Sequence, residues 1–209
     1  MTIANRLHDR AGQHLMSSPM QFVDAASALV TSVLRITTSY HPRRPWISLP
    51  AYRYLRAALR SDWKVFEYGS GMSTLWYDRR CAEVHAVEES ESWTRFLAGK
   101  MNRAHVYHCV GAAYMEAVLD FRPGYFDLIA VDGKHRLDCF RASLRAAGPN
   151  TTIVIDDTDT GTTDADMREI NRMVQGFPKS RVLRFPGFAD SYFFAKETTI
   201  VLAVGRLQG

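Results

Sequence analysis

The sequence predicts an α/β protein: a three-layer sandwich around a mainly parallel seven-stranded sheet, with an antiparallel edge hairpin and an N-terminal helical cap. Three observations predict it. From Lys64 onward, short β-branched runs (KVFEYG, EVHAVEE, AHVYHCVG, YFDLIAVDG and TTIVIDD) each end in a polar or glycine residue. Helical stretches separate them, and strand–helix alternation of this kind builds parallel sheets covered on both faces. The last two runs, SRVLRF and TTIVLAVG, have no helix between them, which suits an antiparallel pair at one edge.

Taken in order, the chain opens with a helix in which Phe22, Ala26, Leu29, Val33 and Ile36 recur at steps of three and four. That stripe is expected to pack on the main core; a lid or dimerisation helix is the alternative. HPRRP (residues 41–45) breaks the helix and acts as a linker, so residues 1–45 form a helical extension and residues 46–209 the main domain. A second helix starts at about Pro50, where proline is tolerated in the first turn. The intervening helices of the sheet region are expected at 73–80, 90–101, 113–119, 136–146 and 164–174.

Composition narrows the class. The 209 residues are 46% hydrophobic and 23% charged, with a net charge of +4 spread along the chain, as in an ordinary globular protein. The basic balance is too mild and too dispersed to point to nucleic acid, so none is expected as a partner. Cys81, Cys109 and Cys139 are too few and too scattered for a disulfide framework, and no CxxC suggests zinc. A cytoplasmic location is expected. The apolar run FVDAASALVTSVLRI contains Asp24 and Arg35 and is too short to span a bilayer, so no membrane partner is expected. A homodimer through the N-terminal helix or the edge hairpin is the oligomer to look for. His105 and His108 lie three apart on a predicted strand and face opposite sides, which argues against a metal pair.

The motif with chemistry is VFEYGSGMSTLW, at the carboxyl end of the first strand, where open α/β sheets bind ligands. Gly69 and Gly71 would let the backbone approach a ligand, but Thr74 stands where a dinucleotide fingerprint has its third glycine. Glu67, two residues before the first glycine, suits a ligand with positive charge better than an anionic one. The second strand ends in Glu88, 17 residues after Gly71 (88 − 71), with Glu89 beside it. An acid there accepts hydrogen bonds from ribose hydroxyls. A nucleoside with a cationic, amino-acid-like tail fits both acids.

On these residues the sequence resembles the class I S-adenosylmethionine-dependent methyltransferases, which have a Rossmann-like fold. It is similar in particular to a bacterial subgroup with an E-Y-G-S-G-x-S-T first motif and a Trp soon after the acid of the second strand. The resemblance implies that Glu67, Gly69, Ser70, Gly71 and Ser73 line the methionine part of S-adenosylmethionine, that Glu88 holds the ribose, and that Glu89 or Trp93 borders the adenine. The third strand lacks the acid many members carry, so adenine recognition there would rest on the backbone near Gly111 and Ala112.

Asp132 ends the fourth strand, and Asp156 and Asp157 end the fifth. Three carboxylates gathered together need a positive neighbour: a metal, the sulfonium, Lys134, His135, Arg136 or an amine substrate. Three readings compete. Asp132, Asp156 and Asp157 bind a divalent ion such as Mg, as resemblance to the metal-dependent O-methyltransferases implies; or Asp132 or His135 acts as a general base with no metal, Asp157 completing the catalytic set; or the acids merely cap strand ends. The acceptor is expected to be a small molecule, perceived through the N-terminal segment and the loop FPGFADSYFFAKE. Its aromatics, Phe188 and Tyr192 among them, with Trp46 (and Tyr40 or Tyr52) would wall the substrate pocket. Aminopropyl transfer or intramolecular cyclisation would use the same nucleoside, and a non-catalytic binding protein is the third class.

Overall fold

The computed structural model describes residues 15–162 and 164–204. The first 14 residues of the extension lie outside them. The fold is a Rossmann-like sandwich. Its elements are α1 (Pro19–Thr38), α2 (Leu49–Ala58), β1 (Lys64–Tyr68), α3 (Met72–Asp78), β2 (Glu83–Glu88), α4 (Glu91–Leu97), β3 (Ala104–His108), α5 (Ala112–Glu116), β4 (Leu128–Val131), α6 (Arg136–Ala146), β5 (Thr152–Ile155), α7 (Ala165–Gln175), β6 (Val182–Phe188) and β7 (Ala195–Val201). The seven strands run in the order β3-β2-β1-β4-β5-β7-β6. The first five are parallel; β7 is antiparallel to both β5 and β6.

Alternation along the strands divides the core. Phe66, Tyr68, Ile129, Val131, Ile153 and Ile155 point to the face covered by α5, α6 and α7, where Tyr114, Phe140 and Ile170 meet them. Val65, Val84, Leu128, Ala130, Val154 and Ile200 point to the other, against Ala51 and Leu55 of α2 and Trp76 and Tyr77 of α3. A side chain moved by one register position would change layers, so this pattern holds the sheet in place.

Two expectations need correction. The stripe on α1 does not pack on the core. Phe22, Leu29, Val33 and Ile36 are all about half exposed or more, and the buried side is Asp24, Ala28 and Ser32. The inner face is mixed: Ala28 packs with Phe188 and Ala195, and the polar residues beside it meet polar partners. Arg53 of α2 grips Asp24 with two hydrogen bonds of 2.6 and 2.9 Å, and the Ser27 and Thr31 hydroxyls approach Asp190. Asp190 also pairs with Arg44 of the linker. The edge hairpin, secondly, is longer than expected. Pro186 and Gly187 lie inside β6, and Ala195–Glu197 inside β7. Proline is tolerated because β6 is an edge strand, and Gly187 is required because a Cβ would stand 2.7 Å from the Pro50 ring. The loop between the strands shrinks to residues 189–194.

Helix ends shift by a few residues. Ser90 caps α4 through the Trp93 N–H, and Asp164 caps α7 through the Met167 N–H. No helix among the described residues is long and apolar enough to cross a membrane.

Candidate active site

Strand order reverses beside β1, with β2 on one side and β4 on the other, and ligands bind beyond such a point. The ladder continues past the strand ends: Gly69 N–H donates to the Val87 carbonyl (3.0 Å), Asp132 N–H to Tyr68 (3.2 Å) and Asp156 N–H to Val131 (3.2 Å). The motif loops are thereby set at one level around a cleft of about 350 Å³.

The two glycines differ. Gly69 has φ +85°, and a Cβ on it would lie 2.7 Å from Gly133 Cα. Its freedom is needed for packing loop on loop. Gly71 is extended, with only Ser73 Oγ (3.8 Å) near its missing side chain. That open space is part of the cleft. Between them Glu67 is buried beneath the loop. The Thr74 hydroxyl donates to its carboxylate (2.5 Å) and accepts from Gly71 N–H (2.8 Å). Burial pushes the Glu67 carboxyl up to about 7, against the Ser73 and Thr74 hydroxyls that pull it down; the Glu88 charge adds to the rise. Thr74, noted in the sequence only as a missing glycine, is thus the tie that orients Glu67.

Glu88 accepts from Ser90 N–H (2.8 Å) and, more loosely, from the Ser70 hydroxyl (3.4 Å). The Trp93 indole N–H donates to the Ser70 carbonyl (2.7 Å), so α4 is fastened to the glycine loop. Ser70, Gly71, Ser73, Glu88, Glu89 and Trp93 all line the cleft. Gly111 and Ala112 do not. The chain turns at Gly111 (φ +59°), which carries Ala112 into a separate apolar cavity between α5 and the β2–β3 face. Tyr114 of the same helix reaches the cleft instead, against Gly133.

At the other end of the cleft, one oxygen from each of Asp132, Asp156 and Asp157 lies within 4.8 Å of the others. The cations that meet them come from the chain. Arg136 Nη2 is 2.9 Å from Asp157 and 3.5 Å from Asp132. Lys196 of β7 is ion-paired with Asp156 and, at 2.9 Å, with Asp157. Asp156 is fully buried and also accepts from the Thr198 hydroxyl (2.7 Å). Burial and the charge of Asp156 raise the Asp132 carboxyl well above the usual range. Lys196 and Arg136 hold that of Asp157 below it despite burial. The acids in turn raise the Lys196 ammonium.

Lys134 and His135, expected beside these acids, are engaged elsewhere: Glu89 takes Lys134 at 3.0 Å and His135 at 3.3 Å. His135 starts α6 in a left-handed conformation (φ 50°), which turns its ring toward Glu89 and Tyr114. Of the substrate residues, Trp46 and Tyr192 line the cleft near Asp132, Arg136 and Lys196. Phe188 is instead buried with Leu15, Ala28 and Ala195 under α1, because β6 extends through it. Tyr52 packs on Trp76. Lys196 had no local signal in the sequence; only the insertion of β7 beside β5 brings it to Asp156. His105 stacks on His85 while His108 meets the Glu89 carbonyl, so they form no pair.

No family model and no curated protein matches the chain. Solved structures match its fold. An O-methyltransferase from Bacillus cereus in complex with SAH has a TM-score of 0.61 at 16% identity, over 90% of this chain and 93% of its own. The O-methyltransferase TomG from Streptomyces achromogenes, involved in tomaymycin synthesis and solved with SAM, gives 0.59 at 18%, over 97% and 99%. An rRNA methylase from Streptococcus thermophilus gives 0.55 at 11%, over 76% and 99%. At such identities the likeness is one of fold.

Proposed function

We propose that the chain is an S-adenosylmethionine-dependent methyltransferase acting on a small-molecule acceptor. One observation carries this reading: a buried carboxylate, Glu67, is tied by Thr74 beneath an open glycine cradle, with Glu88 at the neighbouring strand end. That set of acceptors fits a nucleoside with a cationic tail. Glu88 would hold the ribose, the loop at Ser70, Gly71 and Ser73 the amino-acid part, and Trp93 and Glu89 the adenine side. The fold neighbours with SAM or SAH support the same cofactor, and they include both O-methyltransferases and an rRNA methylase, so the acceptor must be read from the site.

S-adenosylmethionine supplies a methyl group already activated on sulfur. The chain's task is then to position the acceptor and take its proton. Asp132 suits the base: it lines the cleft together with Trp46 and Tyr192, where an acceptor would lie. Asp157, held ionised by two cations, anchors Arg136 and Lys196. His135, paired with Glu89, belongs to the nucleoside side. Lys196 and Arg136 offset two of the three acid charges, which leaves little for a polyamine to pair with and favours methyl transfer over aminopropyl transfer.

Calorimetric titration with S-adenosylmethionine tests the reading. The native chain is expected to bind, and Glu88→Ala to bind roughly ten- to a hundredfold more weakly through loss of charged hydrogen bonds. A native chain that binds none refutes it. A second copy docked on the outer face of α1, at Phe22, Leu29, Val33 and Ile36, is the oligomer this surface favours; a monomer mass in light scattering would exclude it.

A further inference from the structure

The carboxylates at the ends of β4 and β5 have the composition of a metal site, but not its vacancy. We propose that Lys196 stands in place of a divalent ion among Asp132, Asp156 and Asp157, so that this chain works without a metal there. The catalytic half of the statement rests on the methyltransferase reading above.

The ammonium donates to the Trp46 carbonyl at 3.3 Å and is ion-paired with both Asp156 and Asp157. The Tyr192 ring also lies near it, with the centroid 4.5 Å from Nζ. Lys196 is only 8% exposed, and its backbone is fixed in β7 opposite Gly187. A divalent ion needs several oxygens of its own. Here Asp156 accepts from Thr198 through Oδ1 and faces the Lys196 ammonium through Oδ2, an ion pair without a hydrogen bond, and Asp157 is shared between Lys196 and Arg136. An entering dication would have to displace a like charge already ion-paired with two of the three acids.

A consequence for the acceptor follows. A metal grips two neighbouring oxygens of a substrate, whereas an ammonium already ion-paired with two carboxylates offers no such paired grip. Lys196 is therefore a positioning residue that ties the acids to the Trp46 wall. The acceptor it suits presents a single hydroxyl or amine to Asp132 rather than a chelating pair of hydroxyls.

Manganese binding, followed by electron paramagnetic resonance and calorimetry, tests this independently of methyl transfer. The native chain and Lys196→Arg are expected to show no Mn²⁺ site, with thermal unfolding unchanged by Mn²⁺ or EDTA. Lys196→Ala should gain one site, an affinity rise of roughly a hundredfold or more once the repelling charge is gone, and Asp157→Asn in that background should abolish it. One Mn²⁺ bound by the native chain and lost in its Asp157→Asn variant overturns the proposal, whether or not Lys196→Ala folds. A folded Lys196→Ala that gains no site overturns it too. Failure of the native chain to bind S-adenosylmethionine would refute the methyltransferase reading and leave the manganese result standing.

Discussion

The two ends of the cleft are built on opposite principles. At the ends of β1 and β2, backbone does the work: Gly69 lies against Gly133, and Glu67 and Glu88 are held by hydroxyls and N–H groups close in sequence. At the ends of β4 and β5, buried charge does it: three carboxylates are held by Arg136 and by Lys196, about forty residues further along the chain. The first end is steric and unforgiving of added atoms. The second is electrostatic and depends on a balance of signs. At the first, a ligand that brings positive charge finds Glu67 and Glu88 with no lysine or arginine ion pair among the described residues; at the second, two of the three acid charges are already offset.

The largest effect should come from breaking the steric end. In Gly69→Ala the new Cβ meets Gly133 Cα at 2.7 Å in a backbone conformation (φ +85°) that L-residues resist. The left-handed conformation costs roughly 1–2 kcal/mol and the overpacking roughly 1–3 kcal/mol. A loss of about 2–5 kcal/mol is expected from urea unfolding. Gly71→Ala, in extended backbone facing open space, should stay within about 0.5 kcal/mol of native. Equal losses in the two variants would mean that both glycines serve only the turn.

The same contrast explains what the sequence made legible. Strand runs, the helix at Arg136–Ala146 and the acids at strand ends follow from period and punctuation, which are local. Glu67, Gly69, Gly71 and Glu88 could be assigned roles because neighbouring parallel strands place consecutive loops side by side. Lys196 could not, because nothing local says that β7 enters between β5 and β6. The α1 stripe misled for a related reason. Periodicity finds an apolar face but not its direction, and only the Asp24–Arg53 and Asp190 contacts show that the other face turns inward. Thr74 was visible as a departure from a fingerprint, while its use as a bridge needed the geometry of Gly71 and Glu67.

A smaller effect, set by pH, sharpens the electrostatic side of the contrast at Glu67. The folded carboxyl titrates at about 7, against an ordinary value of 4.5. Below the ordinary value both folded and unfolded chains carry the proton, and the stabilisation is fully present. As pH rises from 4.5 to about 7 the unfolded chain releases its proton first, so stability falls, by about 3.5 kcal/mol at most at about 1.4 kcal/mol per pKa unit. Above that range this contribution no longer changes. Urea unfolding across the window should show the decline, and Glu67→Gln should flatten it. A cationic ligand reverses the preference, because it favours the ionised carboxylate. Binding of S-adenosylmethionine should therefore release a proton below about pH 7 and tighten as pH rises toward it, by up to roughly tenfold per pH unit. Calorimetry in buffers of different ionisation enthalpy measures that proton directly. Release that persists undiminished in Glu67→Gln would assign the proton to another group and take from Glu67 its part in recognising the positive charge.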